Sequence, residues 1–265
     1  ASLVRMADDP EGTPPLPPHS GAQFPPTQWS LVLDAFAAGT EPDPAALEGL
    51  IRNYLGPIYA YLRHQFRRLP PQDVEDLASE FATGLPALLS RVASNHGVPK
   101  GRLRSLLRFS ARRFALDWLK KQKALKRGGD AGHVSLELIA EQLADSGEGS
   151  ASAPDAEAAF DRAWAEALVH RAKEALAEDY RKPEAAKEHD ALLPWLTADP
   201  PSGEHARLAV QLGCSEAASR QRLLRLRRDF RDHLRRAVLA TLRDPADLEE
   251  EMRHLLNVLR SQGLP

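Results

Sequence analysis

LRSLLRFSARRFALDWLKKQKALKR, residues 103–127, carries two patterns at once. Leu103, Leu107, Ser110 with Ala111, Phe114 and Trp118 recur every three to four residues, which predicts a helix with this stripe against a core. The rest of the surface is basic. Eleven Lys or Arg lie between Lys100 and Arg127 against one acid, Asp117. A merely solvated helix mixes its signs, so this one-sided density predicts a face for a polyanion, nucleic acid first of all.

Around that helix the chain is 265 residues long, room for about two domains with cores of their own. Its formal charge of -2 averages opposed blocks: Gly128–Asp161 has no Lys or Arg and eight acids. The one cysteine, Cys214, excludes an internal disulfide and a thiolate cluster, in keeping with a reducing cytoplasm. No apolar run approaches the roughly 18 residues of a membrane span, and no signal-peptide core is present, so a soluble cytoplasmic protein without membrane insertion is expected. The nine histidines form no His-Glu-x-x-His spacing, and neither a Gly-rich phosphate loop nor a Gly-x-Ser-x-Gly elbow occurs. No catalytic residue, metal or cofactor is therefore predicted, and the chain is not expected to be an enzyme.

Taken in order, residues 1–26 are rich in Pro, Gly and Asp without periodicity, which predicts a disordered tail. Thr27 reads as an N-cap for a helix Gln28–Ala38 that Gly39 ends. Asp43-Pro44 opens a long helix with Leu47, Leu50, Ile51, Tyr54, Leu55, Ile58, Tyr59, Leu62 and Phe66 at helical spacing. A third helix, Pro71–Ser94, carries Val74, Leu77, Phe81, Leu85, Leu88 and Leu89, with a kink expected at Pro86. The loop Ala93–Gly101 leads to the basic helix, which completes a domain at 27–127. An acidic linker is expected at 128–159.

A second helical domain, 160–236, starts with Phe160, Trp164, Leu168, Ala172, Leu176 and Tyr180 repeating every four residues, and Leu192, Leu193, Trp195 and Leu196 form a further short helix. In Ala206–Arg236 a short helix, a turn at Gly213, an N-cap at Ser215 and a long basic helix make a helix-turn-helix. Residues 237–265 extend past it: Asp244-Pro245 caps a helix with Leu248, Met252, Leu255, Leu256 and Leu259 on one face, which needs a partner in the second domain. No alternating strand pattern occurs, so the fold class is all-α.

These residues resemble an extracytoplasmic-function (ECF) sigma factor, the small two-domain class of the sigma-70 superfamily, from about Trp29 to Leu259. Asp73-Val-Glu-Asp-Leu-Ala-Ser-Glu-Phe81 is similar to the family's polymerase-binding segment D-x-E-D-L-x-Q-E-F. Arg104-Ser, Leu107, Ala111-Arg112, Ala115-Leu-Asp117 and Leu119-Lys-Lys121 align with its promoter-melting helix, and Leu212-Gly-Cys-Ser-Glu216 through Arg222, Arg225 and Arg227 with its minus-thirty-five reader. The chain departs from the pattern at Ser79, where Gln is usual, at Arg113, where Asn is common, and at Ser219, where a core Val or Ile is usual.

The resemblance implies a protein that binds RNA polymerase core enzyme, directs it to promoter DNA and helps to open the duplex. It implies polymerase binding by Asp73, Glu75, Asp76, Glu80 and Phe81. It implies minus-ten contacts from Asn95 and His96 to a base and from Lys100, Arg104, Arg112, Arg113, Lys120 and Lys121 to the backbone. Among the aromatics, Phe114 and Trp118 lie on the packing stripe, whereas Phe109 is off it and is expected to face DNA. The minus-thirty-five set is Ser215, Glu216, Ser219, Arg220, Arg222, Arg225 and Arg228, with Arg220 and Arg222 at or near bases. An anti-sigma partner and a linker threaded through polymerase are further implications. The alternative reading is a stand-alone helix-turn-helix regulator of transcription, which does not need the acidic segment Asp73–Phe81.

Overall fold

The computed structural model describes residues 28–96, 103–127 and 153–261. The predicted tail and most of the predicted linker, 128–152, lie outside them. The described chain is helical, and the all-α class is observed. Two compact units divide it: Pro26–Ala167 with Thr241–Arg243, and Leu168–Ala240 with Asp244–Pro265. Among the described residues no helix is long and apolar enough to cross a membrane.

The first unit begins with α1, Gln28–Ala37, and α2, Pro44–Gln65. Gly39, at φ +70°, takes the left-handed turn that stops α1. The Asp43 carboxylate accepts from the Ala45 amide at 3.1 Å, and Pro44 needs no such partner, so α2 starts where the sequence predicts. Helix α3, Pro71–His96, continues through Pro86 and absorbs Asn95 and His96, which were expected in the following loop. Helix α4, Leu103–Arg127, has the predicted bounds.

Leu50, Tyr54, Ile58 and Leu62 of α2 join Val74, Leu77, Leu85 and Leu89 of α3 and Leu107 and Ala111 of α4 in the core. Each full burial of a large apolar side chain is worth roughly 1.5–3 kcal/mol. On α4 the buried row is Leu103, Leu107, Ala111, Ala115 and Leu119. Phe114 and Trp118 fall one position behind it and are only half-buried, a correction to the predicted stripe.

Helix α5, Ala153–Asp179, is longer than the four-residue repeat suggested and takes in the end of the predicted linker. Residues up to Ala167 belong to the first unit, where Phe160 and Trp164 are fully buried. Phe160 stacks on Tyr54, with ring centroids 6.4 Å apart, and meets Tyr61 edge-on at 6.5 Å. The predicted domain start at residue 160 is thus displaced to Leu168. A stripe with one period serves two cores in succession, and periodicity cannot mark the handover.

The second unit continues with α6, Pro183–Leu192, a 3-10 turn at Leu193–Trp195, α7, Glu204–Gln211, α8, Glu216–Leu239, and α9, Leu248–Ser261. Leu192, Leu196, Leu208, Leu223, Leu226 and Phe230 form its core. The Asp244 carboxylate accepts from the Ala246 amide at 2.9 Å ahead of α9, and the predicted apolar face of α9 is buried as it packs on α8.

Candidate nucleic-acid interface

On α4 the arginines divide into two rows. Arg104, Arg108 and Arg112 follow each other at four-residue steps on the side that meets α2 and α5. Arg104 is 5% exposed, donates to Asp161 at 3.3 Å and has its guanidinium 5.7 Å from the centre of the Trp164 ring. Arg108 lies 3.6 Å from Asp161 and 3.8 Å from Glu157, with its guanidinium 5.5 Å from the centre of the Phe160 ring. Arg104, predicted to hold a phosphate, is therefore engaged inside the protein by a helix whose packing here the sequence did not indicate.

The outer row is different. Phe109 is 65% exposed, and Ser105, Arg113, Lys120 and Lys121 are exposed beside or along it. Lys120 is 3.5 Å from Asp117, one turn away, in a solvent-facing pair worth at most about 1 kcal/mol. Arg112, the last of the inner row, is half-buried and close enough to pull the Tyr61 pKa down. Burial pushes that hydroxyl up more strongly, so its pKa lies above the ordinary tyrosine value. The side chains of Asn95 and His96, and Lys100 altogether, lie outside the described residues.

Acids line the facing side of α3. Glu75, Asp76 and Glu80 are exposed and Asp73 is half-buried. Asp73, Asp76 and Glu80 border an open groove of 660 Å³ that also takes in Phe114 and Trp118 of α4. Phe81, predicted to touch polymerase, is 3% exposed and packs edge-on against Phe114 at 5.7 Å. Its role in this structure is to seat the groove's aromatic floor.

In the second unit α7 and α8 are joined by Leu212–Ser215. Gly213 takes φ +59°, a conformation that side chains disfavour, and the Cys214 amide donates to Ala209 O at 2.9 Å. Ser215 Oγ accepts from the Ala218 amide at 3.2 Å, the predicted N-cap. Ser219, predicted to face DNA, is fully buried: its Oγ lies 3.1 Å from His205 Nδ1, 3.2 Å from His205 O and 3.1 Å from Glu216 O. A hydroxyl at this packing position finds partners on α7, which accounts for its tolerance in a core.

Of the arginines on α8, Arg220 is exposed and pairs with Glu216 at 3.0 Å, Arg222 is drawn to Glu188 of α6 at 3.1 Å, and Arg225 and Arg228 are exposed. Arg227 faces inward and donates to Trp195 O at 2.9 Å and Ala198 O at 2.7 Å. Ala217, Gln221, Leu224 and Arg228 form one exposed row, with Leu224 53% exposed. The sequence reading had singled out charge and so passed over Gln221 and Leu224; their three-to-four-residue spacing from Ala217 was the available signal. Comparisons with known families, with curated proteins and with solved structures return no match for this chain.

Proposed function

We propose that this protein is a sigma factor of the extracytoplasmic-function type, which docks on RNA polymerase core enzyme, brings it to promoter DNA and assists melting. The observation that carries the reading is the separation of signs within the first unit. An acidic groove with an aromatic floor lies between α3 and α4, while the outer row of α4 offers Phe109 among exposed cations. Such a unit has one face for a basic protein partner and another for nucleic acid. Phe109 supplies a stacking surface for an unpaired base, a contact worth about 1–3 kcal/mol, and Arg113, Lys120 and Lys121 attract the freed backbone.

The second unit supports the same reading as a helix-turn-helix. Helix α8 enters the major groove with its exposed N-terminal half, where Gln221 matches an adenine edge, Leu224 a thymine methyl, and Arg220 a guanine. Arg225 and Arg228 hold phosphates. In this account the chain performs no chemistry and needs no cofactor; its output is placement of the polymerase. An anti-sigma protein holding it inactive fits the same surfaces.

Reversing two charges in the double variant Asp76→Lys/Glu80→Lys tests the assignment. Both residues are exposed, so the fold is retained, and capture of core polymerase is expected to fall at least tenfold, about 1.4 kcal/mol. Undiminished capture sinks the polymerase assignment. A wild-type chain that binds promoter fragments yet never captures core polymerase is a stand-alone regulator instead.

A further inference from the structure

The inner row of α4 already has the contacts that a single-stranded nucleic acid supplies. Arg104 meets a carboxylate, Asp161, and the face of Trp164; Arg108 meets Asp161, Glu157 and the face of Phe160. Anion and π face together are what a phosphate and its base present to a guanidinium. Filling the core beneath α4 requires only the two aromatic rings. It does not require the two acids: Glu157 is 60% exposed at the solvent edge, Asp161 is 16% exposed beneath the two guanidinium groups, and no ion pair in the set is closer than 3.3 Å. Among the described residues of α4, Arg104 and Arg108 carry these acids, whereas Lys120 of the outer row pairs with Asp117 of its own helix.

We propose that the first four turns of α5 are an internal competitor for nucleic acid on α4. Glu157 and Asp161 occupy phosphate positions, and Phe160 and Trp164 base positions, along Arg104 and Arg108. A single strand meets the outer row of Phe109 and Arg113 first, and gains the inner row only as this part of α5 lifts away. The inference rests on the reading of α4 as a nucleic-acid face, and goes beyond it by making access to that face conditional.

Binding of a fluorescent oligo(dT) to the full chain tests it by anisotropy across a salt series. In Glu157→Gln/Asp161→Asn the competitor is neutralised; Asp155→Asn/Glu166→Gln removes the same charge from exposed acids of the same helix and serves as control. Glu157→Gln/Asp161→Asn, hereafter the clamp variant, is expected to bind about fivefold tighter or more, with a log–log salt slope steeper by about 1.4 for two freed arginines, and the control to move far less. In the unaltered chain, saturating oligo(dT) is expected to lower amide-exchange protection over residues 154–167, a readout that needs no variant. Equal affinities in the clamp variant and control, or unchanged protection at 154–167, overturn the competitor. If the unaltered chain and both variants fail to bind oligo(dT) at all, the nucleic-acid reading of α4 falls and the competitor with it; if all bind alike and Arg113→Ala weakens each, that reading stands and the competitor alone is rejected.

Discussion

At the scale of single residues, Tyr61 reports on the first unit's interior. It is a buried residue of α2, meets the Phe160 ring of α5 edge-on, and has its pKa raised by burial first, with Glu157 adding to the rise and Arg112 and Arg108 opposing it. A hydroxyl that holds its proton more tightly folded than unfolded adds stability that is fully present below the unfolded value, near pH 10, and is lost as pH rises through the folded value. Tyr180 of the second unit is raised in the same direction, by burial and then by Asp229, so both units weaken in alkali. Tyr61→Phe is expected to flatten the alkaline fall in the melting temperature of the first unit, and Glu157→Gln to bring the Tyr61 titration down, read by tyrosinate absorbance. A titration curve unmoved by Glu157→Gln would show that the carboxylate does not reach the ring.

At the scale of elements, Arg227 and Arg228 are neighbours on α8 with separate tasks. Arg227 ties α8 to the turn after Leu193–Trp195 through two carbonyls and pairs with Asp199 at 3.3 Å, whereas Arg228 is exposed. Arg227→Ala strands two part-buried carbonyls and is expected to cost about 1 kcal/mol in thermal melts. Arg228→Ala is expected to leave the melt alone, weaken binding to every promoter sequence alike and reduce the salt slope by about 1. The sequence showed both arginines as one basic row; only the packing of α6 and the turn separates them. What was legible was whatever local chemistry determines: the Asp43, Ser215 and Asp244 caps, the Gly39 and Gly213 turns, the bounds of α4 and the apolar face of α9. What was not legible depended on distant partners, as when Arg104 turned toward Asp161, Ser219 toward His205, and Phe114 and Trp118 toward the acids of α3.

At the scale of the whole molecule, 35 basic and 37 acidic side chains nearly cancel, so the proposed attraction to DNA and polymerase depends on where each sign is placed and not on the total. Helix α9 illustrates the point, because its first turn exposes Glu249 and Glu250, which a phosphate backbone repels, while Glu251 is buried. Its apolar side explains its presence. Leu248, Met252, Leu255, Leu256 and Leu259 are all buried where α9 packs on α8, and Glu249 pairs with Arg235 of α8 at 2.5 Å. The packing decides what truncation after Arg243 removes. Removing five buried side chains at roughly 1.5–3 kcal/mol each takes away about as much as the 5–15 kcal/mol that holds an ordinary domain together. Truncation is therefore expected to abolish the cooperative melt of the second unit and, with α8 no longer seated, the proposed binding to a minus-thirty-five element. Leu255→Ala, a milder change at a fully buried position, is expected to cost about 2–5 kcal/mol while sparing sequence preference in the molecules that stay folded. A truncated chain that melts like the parent and still reads its promoter would mean that α9 contributes nothing to the unit on which it packs.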